Sequence, residues 1–575
     1  MRLSTDADAD DAAFETIAAA VEAGITIFDT AHAYGAGGAP AGRNERLVAQ
    51  ALRGCGAEAR ARIITKGGMT RAGGGWVPDG RAKAISTDCD ASVAALGGLT
   101  IDLYLLHAPD PRTPWRTSVR ALARLLEDGA VRQVGLSNVN RRQLEEACDL
   151  VNIAAVEVGL SVLDDSAVRG GIVEFCAERR IAVIAHSPLG GPNRARSLAR
   201  RQELVDIART RDATAEEVAL AWVLDLSPVV VAILGARHPE TIRSAARAAN
   251  LRLEPDDRAR IVKGFGWPQP GPAESSAAQI GDADVVVVMG IPGTGKSRHA
   301  DDYVARGYVR LNRDDRGGSL RELNVALDGA LAFGVRRVVL DNTYLTRIAR
   351  SHLIETAARH GAGARCVWVD TPLAQAQVNL VERLLDRFGS LPRPEELRVV
   401  ARREPGIMLP ASQMRTFREL EPPSMDEGFT DVVRIPFERD PRTPSSKTLS
   451  SPGGVFVSAA ALRLPGWKDA IALGDPRVPH LVFDWRPGEA VDVLDPEVAL
   501  LSAQVAGIVS SALCPHEAGV PVCWCRPPLP GLILAFTRAH GIDPSHATLI
   551  GASPAHRTLA NTLGARYIPA RGAGS

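Results

Sequence analysis

Long apolar runs, net charge and lysine are all scarce or missing in this chain of 575 residues. No stretch of about 18 apolar residues occurs, so we expect no transmembrane helix and no membrane partner. The N-terminus is acidic where a secretory signal would be basic and then apolar, which predicts a cytoplasmic protein. The 67 basic residues balance the 67 acidic residues, so any site for a polyanion has to be local.

Lysine and cysteine are each restricted to a few positions. Where arginine is the default cation, a lysine indicates a position that needs a compact or titratable ammonium group. Five of the eight cysteines lie far apart and the other three cluster near the C-terminus, which suits a reducing compartment and a metal site. The lysines are Lys66, Lys83, Lys263, Lys296, Lys447 and Lys468.

Two segments rich in Pro, Gly and Ser, at 266–282 and 441–454, read as linkers between three parts of an α/β multidomain protein. In the first part, 1–265, seven short apolar segments alternate with helical patterns. Such a repeat predicts a (β/α)8 barrel, whose active site lies at the carboxyl ends of its strands. The first of the eight strands is missing from the pattern, which favours a misplaced start of the chain over a barrel that is open at one edge.

The second part, 283–440, opens with four valines and then a G-x-x-x-x-G-K-S motif. Glycines allow backbone N–H groups to turn towards a phosphate, the lysine bridges the β- and γ-phosphates, and the serine hydroxyl binds Mg²⁺. The alternating strands and helices that follow predict a doubly wound P-loop domain that binds ATP. The residues of this loop that would bind nucleotide are Gly290, Gly293, Thr294, Gly295, Lys296 and Ser297.

Four polar residues follow successive strands of the predicted barrel: Asp29, Tyr34, Lys66 and His107. In this order and at these strand ends, the set resembles that of the aldo-keto reductases. The resemblance implies that Tyr34 protonates a substrate carbonyl while NADPH delivers hydride, with Lys66 and Asp29 tuning the phenol and His107 orienting the carbonyl. A phenol is a poor acid at neutral pH without such tuning.

The same resemblance implies a set of NADPH contacts. Glu157 stands where the family usually has glutamine, which places a carboxylate near the nicotinamide, and His186 stands where an aromatic residue often occurs. Arg237 is the candidate for recognition of a 2′-phosphate. The implied contacts are Ser137, Asn138, Glu157, Ser187, Leu189, Gly190, Gly235 and Arg237.

The N-R-D-D segment that contains Asp314, together with the strand end at Asp341, resembles the polynucleotide 5′-hydroxyl kinases. The resemblance implies that Asp314 is the general base and that Asp341 places substrate or metal, so DNA or RNA 5′ ends would be the phosphate acceptors. The arginine that the family has after the aspartates is displaced, with Arg316 in its region. The family also has a lid segment that carries arginines, and Arg383 and Arg387 are the candidates for these arginines. A small-molecule kinase on the same fold is the alternative.

The third part, 455–575, contains a C-x-H-x6-C-x-C pattern formed by Cys514, His516, Cys523 and Cys525. Three thiolates and an imidazole make up the ligand set of a structural Zn²⁺ site. The region resembles the zinc-loop end of haloacid dehalogenase-like phosphatases of the heptose bisphosphate type. The family's catalytic positions are lost: Pro527 stands in place of the lysine, and the G-D-x-x-x-D motif reads Gly551, Ala552 and His556, without either carboxylate. We therefore expect a small, degenerate, zinc-containing α/β module.

Three hypotheses about function remain open at this point. The first is a bifunctional protein in which the barrel reduces a carbonyl and the P-loop domain phosphorylates a hydroxyl. The second is an NADPH-sensing barrel that regulates a small-molecule or nucleic-acid kinase. The third is a nucleic-acid-binding assembly with weak kinase activity.

Overall fold

The computed structural model describes residues 10–35, 40–72, 75–268, 283–437 and 453–570. The chain divides into two compact units, 1–275 and 276–575. Almost all of both predicted linkers lies outside the described residues. Across the described ranges, no helix combines the length and apolar character that crossing a membrane requires.

The first unit alternates strands with helices, as the sequence pattern predicts for this part of the chain. Its strands are β1 (Ile27–Asp29), β2 (Arg62–Gly67), β3 (Met69–Ala72), β4 (Gly75–Pro78), β5 (Ile101–Leu106), β6 (Val134–Ser137), β7 (Ile153–Gly159), β8 (Ala182–His186) and β9 (Val230–Ala232). Its helices are α1 (Asp10–Glu22), α2 (Arg43–Gly54), α3 (Ala82–Leu96), α4 (Trp115–Glu127), α5 (Arg141–Cys148), α6 (Ser166–Arg169), α7 (Ile172–Arg179), α8 (Gly191–Leu198), α9 (Gln202–Thr210), α10 (Ala215–Asp225), α11 (Pro239–Ala248) and α12 (Pro255–Phe265).

Seven of these strands form one parallel sheet in the order β1-β2-β5-β6-β7-β8-β9. Each of the seven segments predicted to be strands contains one of them, so the predicted barrel-like alternation is confirmed. The order follows the chain because each strand is joined to the next by a helical crossover. Among the described residues of this unit, β1 and β9 are the two edge strands of the sheet, and they do not pair with each other. Because the seven strands are parallel, their carboxyl ends all lie at the same end of the sheet.

A two-stranded antiparallel hairpin, β3 with β4, extends beyond the end of β2 and does not belong to the parallel sheet. The sequence analysis did not predict this hairpin. Met69 at its start is buried, whereas Thr70, Arg71, Gly75 and Trp76 are exposed, with Trp76 47% accessible. The hairpin therefore lies at the face where the parallel strands end.

The second unit contains two parallel sheets. Its strands are β10 (Asp284–Met289), β11 (Val309–Asn312), β12 (Arg337–Asp341), β13 (Gly363–Asp370), β14 (Asp431–Pro436), β15 (Val455–Ser458), β16 (His480–Trp485), β17 (Val509–Cys514), β18 (Thr548–Gly551) and β19 (Arg566–Pro569). Its helices are α13 (Lys296–Val304), α14 (Arg313–Arg316), α15 (Leu320–Ala332), α16 (Arg347–Arg359), α17 (Leu373–Phe388), α18 (Pro394–Arg403), α19 (Pro410–Glu419), α20 (Ala459–Leu462), α21 (Trp467–Ala472), α22 (Asp495–Ser502), α23 (Gly531–His540) and α24 (Pro554–Leu563).

The strand orders are β11-β12-β10-β13-β14 and β17-β16-β15-β18-β19. The central strand β10 is almost entirely valine and fully buried beyond its first residue, as expected for a parallel strand covered on both faces. An apolar core joins helix α17, from the part of the unit that carries the first sheet, to the second sheet, because Leu384 and Leu385 cluster with Phe456, Phe483 and Trp524. This core buries one face of α17 beside the second sheet.

Candidate functional site

Lys66 lies at the centre of a polar cluster inside the first unit. The side chain is fully buried near the end of β2, and its ammonium forms an ion pair with Asp29, which ends β1. The same nitrogen lies 3.1 Å from Glu157 Oε2, donates to the Thr30 carbonyl over 3.2 Å and reaches the Tyr34 hydroxyl at 3.5 Å. The structure thus brings three of the four predicted catalytic residues into contact, together with Glu157 of β7.

The charges in this cluster shift the pKa values of its members. Burial lowers the pKa of Lys66, but the carboxylates of Asp29 and Glu157 raise it by more, so the ammonium stays protonated. Burial also raises the pKa of Tyr34 to about 12, although Lys66 acts in the opposite direction. Burial, followed by the charge of Asp29, raises the pKa of Glu157 to about 7. The phenol is therefore a weak acid in this resting arrangement.

His107, the fourth predicted catalytic residue, lies just after β5 and packs edge-on against the Tyr34 ring, with centroids 5.6 Å apart. Burial and the charge of Lys66 lower its pKa to about 3, so the imidazole is neutral. Its Nδ1 atom is buried and has no hydrogen-bond partner. Trp76 of the β3–β4 hairpin packs on both rings and is covered by the Arg71 guanidinium. The sequence analysis missed Trp76, although the GGG turn before it was a hairpin signal.

A cavity of about 1630 Å³ opens on this cluster, and residues of both β1 and β9 are part of its lining. Asp29, Tyr34 and His107 line it, and the buried Lys66 lies behind them. Among the predicted cofactor contacts, those that share this lining are Asn138, Glu157, Ser187, Leu189 and Gly235. The volume is larger than that of a typical small-molecule pocket.

Asn138 and Ser187 both adopt positive φ angles, 56° and 53°, directly after β6 and β8. Such backbone is costly for residues with side chains and is often found at ligand sites. The two are linked through His186, whose Nε2 lies 3.1 Å from Asn138 Oδ1 and whose Nδ1 lies 3.4 Å from Ser187 Oγ. Asn138 also donates to the His107 carbonyl over 3.1 Å, which connects this edge of the cavity to the catalytic cluster.

The other predicted cofactor contacts lie nearby but do not line the cavity. Ser137 is fully buried at the end of β6 and accepts a hydrogen bond from Asn138 Nδ2 over 3.1 Å. Gly190 caps α8 with a φ of 78°, and a Cβ there would approach Leu163 to 2.8 Å. Arg237 is exposed and lies two residues before α11, where the helix N-terminus favours an anion.

The second unit contains the predicted phosphate loop between β10 and α13. Gly290, Gly293 and Gly295 all have positive φ angles, between 86° and 153°. A Cβ at Gly290 would approach the Val369 carbonyl oxygen to 2.7 Å, and one at Gly293 would approach the Ala376 carbonyl oxygen to 2.5 Å. Backbone packed this closely requires glycine, so the loop conformation is tied to α17 and β13.

Two amides brace this loop from outside. Asn379 of α17 donates to the Gly293 carbonyl over 2.7 Å, and Gln413 of α19 donates to the Pro292 carbonyl over 2.9 Å. Gln413 is fully buried and its Oε1 has no partner. The sequence analysis missed these two residues. They lie 86 and 121 positions away from the loop residues that they hold, so the local motif does not include them.

The lysine of the loop and the two predicted acidic residues differ in their surroundings. Lys296 donates to the Ile291 carbonyl over 2.9 Å, and burial lowers the pKa of its ammonium to about 8. Asp341 ends β12, is almost fully buried, and pairs with Arg310 and with Asn312 Nδ2 at 3.0 Å. Asp314 is exposed on the short helix α14.

The two hydroxyl residues of the loop also differ in exposure. Thr294 is buried, and its hydroxyl donates to the Ile291 carbonyl, whereas Ser297 is exposed in the first turn of α13.

The four predicted metal ligands of the third part come together. One ligand atom from each of Cys514, His516, Cys523 and Cys525 lies within 4.8 Å of all the others. Cys514 Sγ is 3.7 Å from Cys523 Sγ and 3.4 Å from Cys525 Sγ, while His516 Nδ1 is 3.2 Å from Cys525 Sγ. A tetrahedron of ligands about 2.3 Å from one Zn²⁺ has edges of about 3.7 Å, so the set matches that size.

Aromatic residues support the loop that carries these ligands. Trp485 donates to the His516 carbonyl over 2.7 Å and packs under the Arg526 guanidinium. Trp524, between two of the cysteines, is buried in the shared core and donates to the Met408 carbonyl over 3.1 Å. The degenerate positions are also ordered: His556 accepts from the Ala552 amide over 3.2 Å and packs against Phe483.

Comparison with known proteins gives matches to the first unit. The model of the aldo/keto reductase family matches residues 1–263. An aldo-keto reductase, str7, of Strobilurus tenacellus is 28% identical over 285 residues, covering 44% of this chain and 82% of that protein. An uncharacterized oxidoreductase of Schizosaccharomyces pombe is 28% identical over 254 residues, covering 44% and 78%. A solved aldo/keto reductase of Klebsiella pneumoniae, in complex with NADP and acetate, is 23% identical, with a TM-score of 0.41 over 47% of this chain and 90% of that one.

Proposed function

We propose that residues 1–263, which form an aldo/keto reductase domain, reduce a small carbonyl compound with NADPH. The observation that carries this proposal is the contact between Lys66, Asp29 and Tyr34, with the neutral His107 packed on the phenol. In that arrangement Tyr34 gives its proton to the carbonyl oxygen, and the Lys66 ammonium stabilises the phenolate that remains. The neutral imidazole of His107 lines the cavity beside the phenol, where it would orient the carbonyl.

The residues around the cavity fit NADPH. The strained Asn138 and Ser187 present side chains beside Glu157 at the strand ends, and Arg237 suits the 2′-phosphate. NADPH, when bound, supplies the hydride for the carbonyl carbon. Mixing the full chain with NADPH and a panel of aldehydes and ketones should lower the NADPH absorbance. Tight NADPH binding without turnover of any carbonyl would instead favour the sensor hypothesis.

We infer that the second unit binds ATP at Gly290–Ser297 and phosphorylates a hydroxyl group. Three glycines with positive φ angles, two of them braced against backbone carbonyl oxygens, form a cradle that a side chain would fill. Lys296 and Ser297 would hold the phosphates and Mg²⁺, and ATP, when bound, supplies the γ-phosphoryl group. The buried Asp341 lies at the neighbouring strand end, where it can place Mg²⁺ or the acceptor.

The acceptor class that we propose is a nucleic-acid 5′-hydroxyl, with Asp314 as the general base. Asp314 is exposed, so it can reach a bulky acceptor at the surface. Incubation with γ-labelled ATP and a 5′-hydroxyl oligonucleotide should label the oligonucleotide, and Asp314→Asn should retain ATP binding but lose transfer. Labelling of small alcohols alone would identify the small-molecule kinase, and hydrolysis without any transfer would contradict both proposals.

We also propose that Cys514, His516, Cys523 and Cys525 hold a structural Zn²⁺ ion. The carrying observation is the tetrahedral size of the set, which a chance cluster of thiols has no reason to adopt. Four protein ligands leave no open position, so the metal would crosslink the loop and take no part in chemistry. The absence of carboxylates at Ala552 and His556 supports a module without phosphatase activity.

A further inference from the structure

Four acceptors surround the buried ammonium of Lys66, but an ammonium has only three protons. The acceptors are the carboxylates of Asp29 and Glu157, the Thr30 carbonyl and the Tyr34 hydroxyl. The three hydrogen bonds of the ammonium go to Asp29, to the Thr30 carbonyl and to the Tyr34 hydroxyl, the last of them the longest at 3.5 Å. Glu157 Oε2 lies 3.1 Å from the same nitrogen, within ion-pair range, but receives no hydrogen bond. The two carboxylates and one ammonium also leave the cluster with an excess negative charge beside the phenol.

We propose that Glu157 competes with Tyr34 for the protons of Lys66, so that the ionised carboxylate slows carbonyl reduction and the protonated carboxyl permits it. This inference rests on the proposed reductase function. Glu157 acts through Lys66 and is a positioning residue. When Glu157 is ionised, its charge draws the ammonium away from its long hydrogen bond to the Tyr34 oxygen. Protonation of Glu157 removes that pull, and the negative charge that opposes phenolate formation disappears.

The groups around Glu157 leave few alternative sources of a pH effect. On β7 it is flanked by Ser137 of β6 and Ile184 of β8, neither of which titrates. The titratable and charged groups that face it are Asp29 from β1, Lys66 from β2, Tyr34 from the loop after β1, His107 after β5 and His186 at the end of β8. Lys66 stays charged, and burial lowers the pKa of both histidines below the ordinary value, so neither histidine changes its charge above about pH 7, where kcat should fall.

The test is the pH profile of kcat for carbonyl reduction at saturating NADPH, measured for the wild type and for Glu157→Gln. The wild-type kcat should fall above about pH 7, by up to about tenfold per pH unit, because only the protonated form is active. Glu157→Gln cannot ionise and should show no fall in this range, and it should exceed the wild type at pH 8. The KM for NADPH, measured in parallel, separates this effect from a change in cofactor binding.

His186→Gln is the matched control, because it removes another titratable side chain that faces the same cavity while leaving Glu157 in place. The break in its kcat profile should stay where the wild type has it. An identical profile for Glu157→Gln and the wild type would overturn the competition. Absence of NADPH oxidation by the wild type with every carbonyl at every pH would instead contradict the proposed function.

A second measurement does not depend on turnover. Removing the Glu157 charge should increase the tyrosinate fraction of Tyr34 at a fixed alkaline pH at which both proteins are folded. Ultraviolet difference absorbance against the Tyr34→Phe background measures that fraction, and Glu157→Met serves as a second neutral variant. An unchanged fraction in both variants would show that Glu157 does not act on the phenol.

Discussion

At the scale of single residues, Lys66 determines what the barrel cluster can do. It is fully buried, and its charge is retained only because two carboxylates face it. Burial, followed by the charge of Lys66, lowers the pKa of His107 and keeps it neutral, and the same charge favours the phenolate of Tyr34. Motif positions alone predicted the four residues, but they could not predict that Glu157 contacts the lysine directly. That contact depends on the register of β7 against β6, which the sequence does not encode locally.

Replacing Tyr34 by phenylalanine removes the proposed proton donor and leaves the ring packing against His107 and Trp76. We expect kcat to fall by at least about 10²-fold, the usual scale for a lost general acid, with NADPH affinity unchanged. Tyr104→Phe is the matched control, because that buried hydroxyl only donates to the Ile85 carbonyl over 3.1 Å. Steady-state kinetics gives kcat for both variants. An equal kcat for Tyr34→Phe and Tyr104→Phe would show that Tyr34 is not the proton donor.

The Glu157 carboxyl also links stability to pH. Its pKa in the folded chain, about 7, is above its ordinary value of 4.5, so the folded state binds this proton more tightly than the unfolded state does. The resulting stabilisation is present below pH 4.5 and is lost as the pH rises to about 7. Thermal melts should therefore show Glu157→Gln gaining stability relative to the wild type between pH 4.5 and pH 8. A difference that is constant with pH would contradict the raised pKa.

At the scale of elements, the order of strands explains why some sites could be predicted and others could not. The P-loop motif predicts a strand, a loop and a helix, and the structure places β10 and α13 on either side of it. The hairpin that carries Trp76 and the helix α19 that carries Gln413 have weak patterns of their own. Their positions depend on contacts with residues that are distant in the sequence, and a local sequence pattern cannot predict such contacts.

The phosphate loop provides a test of close packing between elements. Gly293→Ala should disturb the loop, because the new Cβ would lie 2.5 Å from the Ala376 carbonyl oxygen of α17. Gly307→Ala is the matched control, since its φ of 87° is close to the 91° of Gly293 but nothing lies within 4 Å. Both variants incur the strain of about 1 kcal/mol for a positive φ. Only Gly293→Ala should weaken binding of a fluorescent ATP analogue, by about tenfold or more. Equal affinities of the two variants for the analogue would show that this loop does not bind the nucleotide.

At the scale of the whole molecule, the proposed zinc site and the shared core lie in the same unit. Cys523→Ser should lower the thermal stability of the full chain and abolish the response of its melting temperature to a chelator, because metal binding contributes folding free energy. Metal analysis of the wild type should find about one Zn²⁺ per chain. Cys366→Ser, in the buried strand β13, should cost some packing but keep the chelator response. A wild type that is indifferent to chelators would show that the four ligands hold no metal.

Trp524 has a consequence for how this chain could be divided. Its indole lies among the side chains of α17 and bonds to the Met408 carbonyl, while the cysteines on either side of it belong to the metal cluster. A gene split within 441–454 would give two polypeptides that each expose half of that core. We expect neither half to be soluble by itself, and we expect the two to reassemble without a covalent link when they are produced together. We therefore expect the two fragments to complement each other through the core that they share. Two independently folded domains joined by a linker would have no such shared core and would not need to reassemble.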